Sequence, residues 1–223
     1  MNQEQALSLL KETKLVAILR GIPVKQATDI ATALYDGGVR VLEFTFDHDD
    51  PDCVAHNCQR IRAVKKIFGD EMVVGCGTAL TVQEVEASVE AGGQIVISPN
   101  VDVSVIAKTK ALGAISMPGA LTPTEIVMAY NAGADIVKLF PAGTLGVPYI
   151  KAVRGPLGYI PMSAVGGVRP ETIADFLNVG VCGFGVGGEL VKKEFVRSSD
   201  MNALTSRARK FVHAIEQWEA NRS

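Results

Sequence analysis

The sequence predicts a (β/α)8 TIM barrel preceded by an extra N-terminal helix. Eight short apolar or β-branched runs alternate with segments of helical period. Most of the runs are apolar almost throughout, which suits parallel strands covered on both faces. Glycine-containing stops recur just ahead of several strands. At 223 residues, 48% hydrophobic, the chain can bury one substantial core. It is expected to form a single barrel domain over residues 1–223.

The candidate strands are residues 14–20, 39–46, 72–77, 94–98, 114–119, 135–141, 161–165 and 182–186. Helical spacing of apolar residues marks 24–36, 53–68, 81–91, 123–132 and 170–179, with a further amphipathic helix at about 2–12. Asp50-Pro51-Asp52 reads as a cap, a first-turn proline and a dipole-facing acid, and Thr122-Pro123-Thr124-Glu125 does likewise. Asp36-Gly37-Gly38, Ala91-Gly92-Gly93, Ala132-Gly133 and Val179-Gly180 supply left-handed helix ends. No low-complexity linker divides the repetition. An open doubly wound sheet would want a GxGxxG turn after the first strand, and Arg20-Gly21-Ile22-Pro23 is nothing like it.

Lys+Arg 22 against Asp+Glu 24 leaves a net charge of −2. No global basic field favours nucleic acid, so affinity for an anion has to be local. The apolar stretches are too short to span a bilayer, and the N-terminus lacks the build of a signal peptide. Cys53, Cys58, Cys76 and Cys182 are scattered and read as reduced packing thiols. A cytoplasmic location is therefore expected.

In a parallel barrel the active-site groups sit at the C-terminal strand ends. The sixth run carries Lys138 among Val137, Leu139 and Phe140. Burial disfavours its charged form and frees an amine to attack carbonyls. A lysine paired with a carboxylate, or one reaching to the barrel mouth, is the rival reading. The second run carries Glu43 among Leu42 and Phe44. A carboxyl held there can pass protons near neutrality, or can serve only as a counter-ion to Lys138. Amine and proton carrier together are what carbinolamine formation needs.

The remaining strand ends offer weaker signals. Gly75 and Gly77 would let backbone approach a ligand, with the Thr78 hydroxyl beside them; Pro99 fixes a turn, and Arg20 offers a donor fork for carboxylate or phosphate. Gly166-Gly167 and Gly187-Gly188 end the last two strands, where barrels of this type cradle phosphate. The run Asp47-His48-Asp49-Asp50-Pro51-Asp52-Cys53, with His56, is rich in metal-ligating types, but crowding in sequence is not ligand geometry. No metal and no cofactor are expected.

In order, VAILRG, VLEFTF, GCGT, ISPN, MPGALTPTE, VKLFPAG, AVGGV and GVGGELV resemble the 2-keto-3-deoxy-6-phosphogluconate (KDPG) and 4-hydroxy-2-oxoglutarate (KHG) aldolases, over about Leu15 to Leu190. The resemblance implies a metal-free class I aldolase acting on a 2-keto acid and releasing pyruvate, usually as a homotrimer. It assigns the Schiff base to Lys138 and proton transfer to Glu43. It places Thr78, Pro99 and Phe140 at pyruvate, Arg20 at the substrate carboxylate, and Gly166, Gly167, Gly187 and Gly188 at phosphate.

Three departures stand out. Many members carry an arginine where Asp47 follows Thr45-Phe46, a threonine where Val165 precedes Gly166, and a serine where Gly188 precedes Glu189. Val165 sides with the 6-phosphogalactonate branch. The lost arginine and hydroxyl, with the acids gained nearby, weaken the case for a phosphorylated substrate. A phosphate-binding barrel isomerase or synthase without imine chemistry, and a non-catalytic sugar-acid binding protein, are the alternatives.

Overall fold

The computed structural model describes residues 1–222. Its strands are β1 (Leu15–Leu19), β2 (Val41–Thr45), β3 (Val73–Gly77), β4 (Ile95–Ile97), β5 (Ile115–Met117), β6 (Gly119–Ala120), β7 (Val137–Leu139), β8 (Met162–Val165) and β9 (Gly183–Val186). They form one parallel sheet in the order β5-β4-β3-β2-β1-β9-β8-β7-β6. Its two ends are neighbours in the chain, so the sheet nearly closes into a barrel.

The fifth expected strand is split at Pro118, which has no N–H to give a ladder. The Pro118 carbonyl still accepts from the Lys138 amide at 2.9 Å, and Gly119 stands in register with Lys138. Nine strands thus make eight staves.

The helices are α1 (Gln3–Thr13), α2 (Ala27–Asp36), α3 (Cys53–Phe68), α4 (Val82–Glu90), α5 (Val103–Ala111), α6 (Pro123–Asn131), α7 (Ala142–Leu157), α8 (Ile173–Asn178), α9 (Lys193–Ser198) and α10 (Met201–Ala220). Short 3-10 turns at Val24–Gln26 and Pro170–Thr172 lead into α2 and α8. Four helices, α5, α7, α9 and α10, went unread in the sequence. In α7 the cause is plain: Gly146 breaks the backbone path at φ 75°, and Pro148 and Pro156 dilute the helical pattern.

Thr122 caps α6 as expected, with Pro123 in the first turn, and Glu125 closes the arrangement into a reciprocal capping box. Asp50-Pro51-Asp52 works differently. Helix α3 begins only at Cys53, and Asp52 makes no side-chain cap. Asp50 instead accepts from the Asp52 amide at 3.0 Å and pairs with His56 at 2.7 Å. Four stop glycines adopt the expected positive φ: Gly38 at 94°, Gly92 at 98°, Gly133 at 101° and Gly180 at 90°.

Each strand divides its side chains between two cores. Val16, Val41, Val73, Ile95, Ile115 and Ile136 fill the barrel, and Ala6 and Leu10 of α1 cap that cluster. Leu42, Phe44, Val74, Cys76, Leu139 and Phe184 face the surrounding helices. Strand alternation therefore assigns Glu43 and Lys138 to the barrel interior, two residues beyond Val41 and Ile136. All four cysteines are free, with Cys58 and Cys76 buried. No helix among the described residues is long and apolar enough to cross a membrane.

Candidate active site

All ten residues singled out at strand ends line one cavity of about 350 Å³. Lys138 and Glu43 lie within the barrel. Arg20, Thr78, Pro99 and Phe140 directly follow or closely trail strands, and the four glycines follow β8 and β9.

Lys138 is 7% exposed and Glu43 2%. Burial pushes the Lys138 amine below its usual range; Glu43 opposes that shift, and the Arg20 charge adds to it. Burial pushes the Glu43 carboxyl up to about 7, against the pull of Lys138, the Thr45 hydroxyl and Arg20. Desolvation thus drives both groups toward their neutral forms. The Lys138 amine also stands 5.1 Å from the centre of the Phe140 ring.

The Glu43 carboxyl is held from two sides. The buried Thr45 hydroxyl donates to its Oε2 at 3.2 Å. Gly77 supplies the floor, because a Cβ at that position would collide with the carboxyl. The glycines of β3 were expected to admit a ligand. They admit protein instead: Gly77 makes room for Glu43, and Gly75 for the Ile95 carbonyl.

Gly77→Ala tests this contact. Overpacking of this kind costs about 1–3 kcal/mol of stability. A displaced carboxyl should lower kcat by roughly 10²-fold, the usual effect of about an ångström of misplacement. Thermal unfolding and single-turnover kinetics read the two effects separately. An active variant with normal kcat would remove the positioning role.

Thr78, next along, has φ 57°. A β-branched residue in the left-handed region is strained, and such strain persists where the surroundings over-determine it. On the far wall, Gly166 and Gly167 have φ of 90° and 73°. The Gly166 carbonyl accepts from the Gly143 amide at 2.7 Å, tying this loop to the start of α7. A Cβ on Gly166 would press the Phe140 ring at 3.3 Å, whereas Gly188 has open space. Glu189 does not leave a bare negative charge here: Arg207 donates to its carbonyl at 2.8 Å and approaches its carboxylate at 3.5 Å.

The cavity also includes Ile18, Val165, Glu189 and Lys193. Thr45, which holds Glu43 from outside the cavity lining, and Lys193, which lines the cavity, are the polar residues missed in the sequence. Thr45 was legible as the residue two beyond Glu43 on the same strand face. Lys193 was not, because a Lys-Lys-Glu run reads as solvated surface. The acidic run after β2 pairs off locally, His48 with Glu84 at 2.8 Å and His56 with Asp50. No three metal-ligating side chains converge among the described residues.

A buried, neutral-leaning lysine and carboxyl at the C-terminal mouth of a parallel barrel define a class of carbonyl-handling barrel enzymes. The family model described as KDPG and KHG aldolase matches residues 7–207. The chain belongs to that family, whose members are carbon–carbon lyases. It is 37% identical to a probable 2-dehydro-3-deoxy-6-phosphogalactonate aldolase of Rhizobium meliloti, covering 81% of this chain and 83% of the relative. It is 35% identical to the 2-dehydro-3-deoxy-6-phosphogalactonate aldolase of Escherichia coli, covering 80% and 84%. A solved structure described as native KDPGal superposes with a TM-score of 0.83 at 32% identity, covering 92% of this chain and 96% of that one.

Proposed function

We propose that this protein is a class I aldolase that cleaves a 2-keto-3-deoxy sugar acid to pyruvate and an aldehyde through a Schiff base on Lys138. The observation that carries the reading is the pair of opposed shifts inside one cavity, a lysine driven down and a glutamic acid driven up by the same burial.

Burial biases the pair toward a neutral amine and a neutral acid, the form from which the reaction starts. Lys138 attacks the keto carbon, and Glu43 protonates the departing hydroxyl, releasing water and leaving an iminium. The Glu43 carboxylate takes the proton of the C4 hydroxyl. The C3–C4 bond breaks into the iminium, and the aldehyde leaves. Glu43 returns that proton to C3 of the enamine. It then draws a proton from the water that hydrolyses the pyruvate iminium, which restores the starting state. Arg20 receives the substrate carboxylate and disfavours protonation of Lys138. Thr78, Pro99 and Phe140 enclose the pyruvyl part.

The four glycines serve as a phosphate cradle, and the relatives named for a 6-phosphogalactonate support a phosphorylated substrate of that branch. Val165 in place of threonine accords with it. Pyruvate release from phosphorylated and unphosphorylated 2-keto-3-deoxy acids of both C4 configurations, and from 4-hydroxy-2-oxoglutarate, tests the assignment. The 6-phosphogalactonate form should show the highest kcat/KM. Release from none of them would leave the sugar-acid binding protein as the better account.

A single barrel domain, a cytoplasmic location and a homotrimer complete the reading. Tyr130 and Tyr159 pack edge to face yet are 38% and 65% exposed, apolar area suited to burial between copies. Light scattering measures the assembly directly.

A further inference from the structure

The loop between β3 and α4 sets Thr78 into the wall of the active-site cavity with φ 57°. Its neighbours on both sides are pinned. The Gly77 carbonyl accepts from the Phe46 amide at 2.8 Å, and the Ala79 amide donates to the Ile97 carbonyl at 3.2 Å. The buried Ser98 hydroxyl donates to the Ala79 carbonyl at 2.8 Å. The Leu80 and Thr81 amides donate to Oε2 of Glu84 at 2.7 and 3.0 Å. The other oxygen, Oε1, accepts from Nε2 of His48 at 2.8 Å. Glu84 is 5% exposed, and a carboxyl so buried is costly unless its oxygens are hydrogen-bonded. His48 belongs to the loop after β2, the strand that carries Glu43.

The chain contains a second version of this turn. Ala79-Leu80-Thr81-Val82-Gln83-Glu84 and Ala120-Leu121-Thr122-Pro123-Thr124-Glu125 share one pattern, and both close a capping box. In the version that opens α6, every hydrogen bond to Glu125 comes from Leu121 or Thr122. Gly119 stands there in the place of Thr78 and lies within β6. The capping box by itself therefore needs no histidine. The version that recruits one follows a β-branched residue in the left-handed region, where such a side chain is strained. The tie from His48 goes with the strain at Thr78 rather than with the start of a helix.

We propose that His48 and Glu84 are positioning residues for Thr78. His48 fixes the carboxyl, and the carboxyl fixes the Leu80 and Thr81 amides. Those amides hold the backbone of Thr78 in the conformation that keeps its side chain on the cavity wall. Without the histidine N–H, Oε1 is left short of a donor inside the protein. The carboxyl then turns toward water, and the loop relaxes Thr78 toward an ordinary φ. The inference rests on the aldolase reading, which puts Thr78 against the pyruvyl part of the substrate.

His48→Phe tests it, because it keeps a flat ring beside Phe46 and removes the donor. The pyruvate concentration that half-saturates borohydride trapping on Lys138 should rise about tenfold, the loss of one hydrogen bond to a carboxylate. Trapping at saturating pyruvate should reach the extent of the unaltered protein, because Lys138 and Glu43 keep their places. With a cleavable substrate the variant should raise KM and hold kcat, as expected for a contact made equally in ground and transition states. His48→Gln, whose amide can donate from near the same place, should restore the half-saturation point. The separating comparison is made in Thr78→Val, which lacks the hydroxyl. There His48→Phe should add a rise of less than about twofold, since a residue acting through Thr78 has nothing left to position. A further rise of about tenfold in that background overturns the proposal. So does an unchanged half-saturation point in His48→Phe, or one that His48→Gln fails to restore. An unaltered protein that traps no pyruvate overturns the aldolase reading and takes the positioning role with it.

Discussion

Lys138→Ala should release no pyruvate from any 2-keto-3-deoxy acid and form no borohydride-stable adduct with pyruvate. The unaltered protein should gain one pyruvate-derived mass on the peptide containing Lys138. The expectation rests on burial. An ammonium at 7% exposure, without a direct ion-pair partner among the described residues, is held away from its charged form. The lone pair that this frees is the nucleophile.

Lys138→Arg should be equally inactive, because a guanidinium stays protonated and forms no imine. Lys138→Met serves as the control for folding. It keeps an unbranched side chain one atom shorter and removes an amine that is costly to bury, so its thermal midpoint should be no lower than that of the unaltered protein. A well-folded Lys138→Met that still released pyruvate would transfer the chemistry elsewhere.

Glu43→Gln should slow turnover by roughly 10²–10⁴-fold, the ordinary contribution of a general acid–base group. The pH profile is the sharper readout. Below about 7 both members of the pair hold protons, and the charged amine cannot attack. Rate should therefore rise through that region as one proton leaves the pair. It should fall again when the second leaves, because no acid remains to expel hydroxide. These are ionisations of the pair rather than of either residue alone.

Glutamine cannot titrate, so the variant should show a single rising limb, that of Lys138. Without the favourable charge of Glu43 the amine should lose its proton more readily, and the limb should move to lower pH. A variant that kept both limbs at near-normal rate would make Glu43 a structural residue.

Legibility differed from element to element. Helix α3 was read to its last residue because its apolar spacing is uninterrupted from Cys53 to Phe68. Helix α7 was missed because glycine and proline obscure the same kind of pattern. The fifth strand was placed correctly but as one piece, since the break at Pro118 follows from a missing donor in a ladder whose partners are distant in sequence. Lys138 and Glu43 were conspicuous for one shared reason: a charge inside an apolar run demands an explanation. Thr45 and Gly77 drew no such attention as the clamp on Glu43, although both lie in strands that were identified.

The sequence by itself determined the parallel barrel, its staves, and the two ionisable side chains placed among apolar neighbours. Periodicity and burial cost are local properties, readable from a residue and those beside it. Only the tertiary structure decided which face of each strand looks inward, because strands apolar on both faces carry no alternation to reveal it. It alone brought the Gly77 floor beneath Glu43, set Arg20 near enough to bias Lys138, and tied His48 to Glu84. Those relations depend on register and closure, which join residues far apart in the chain.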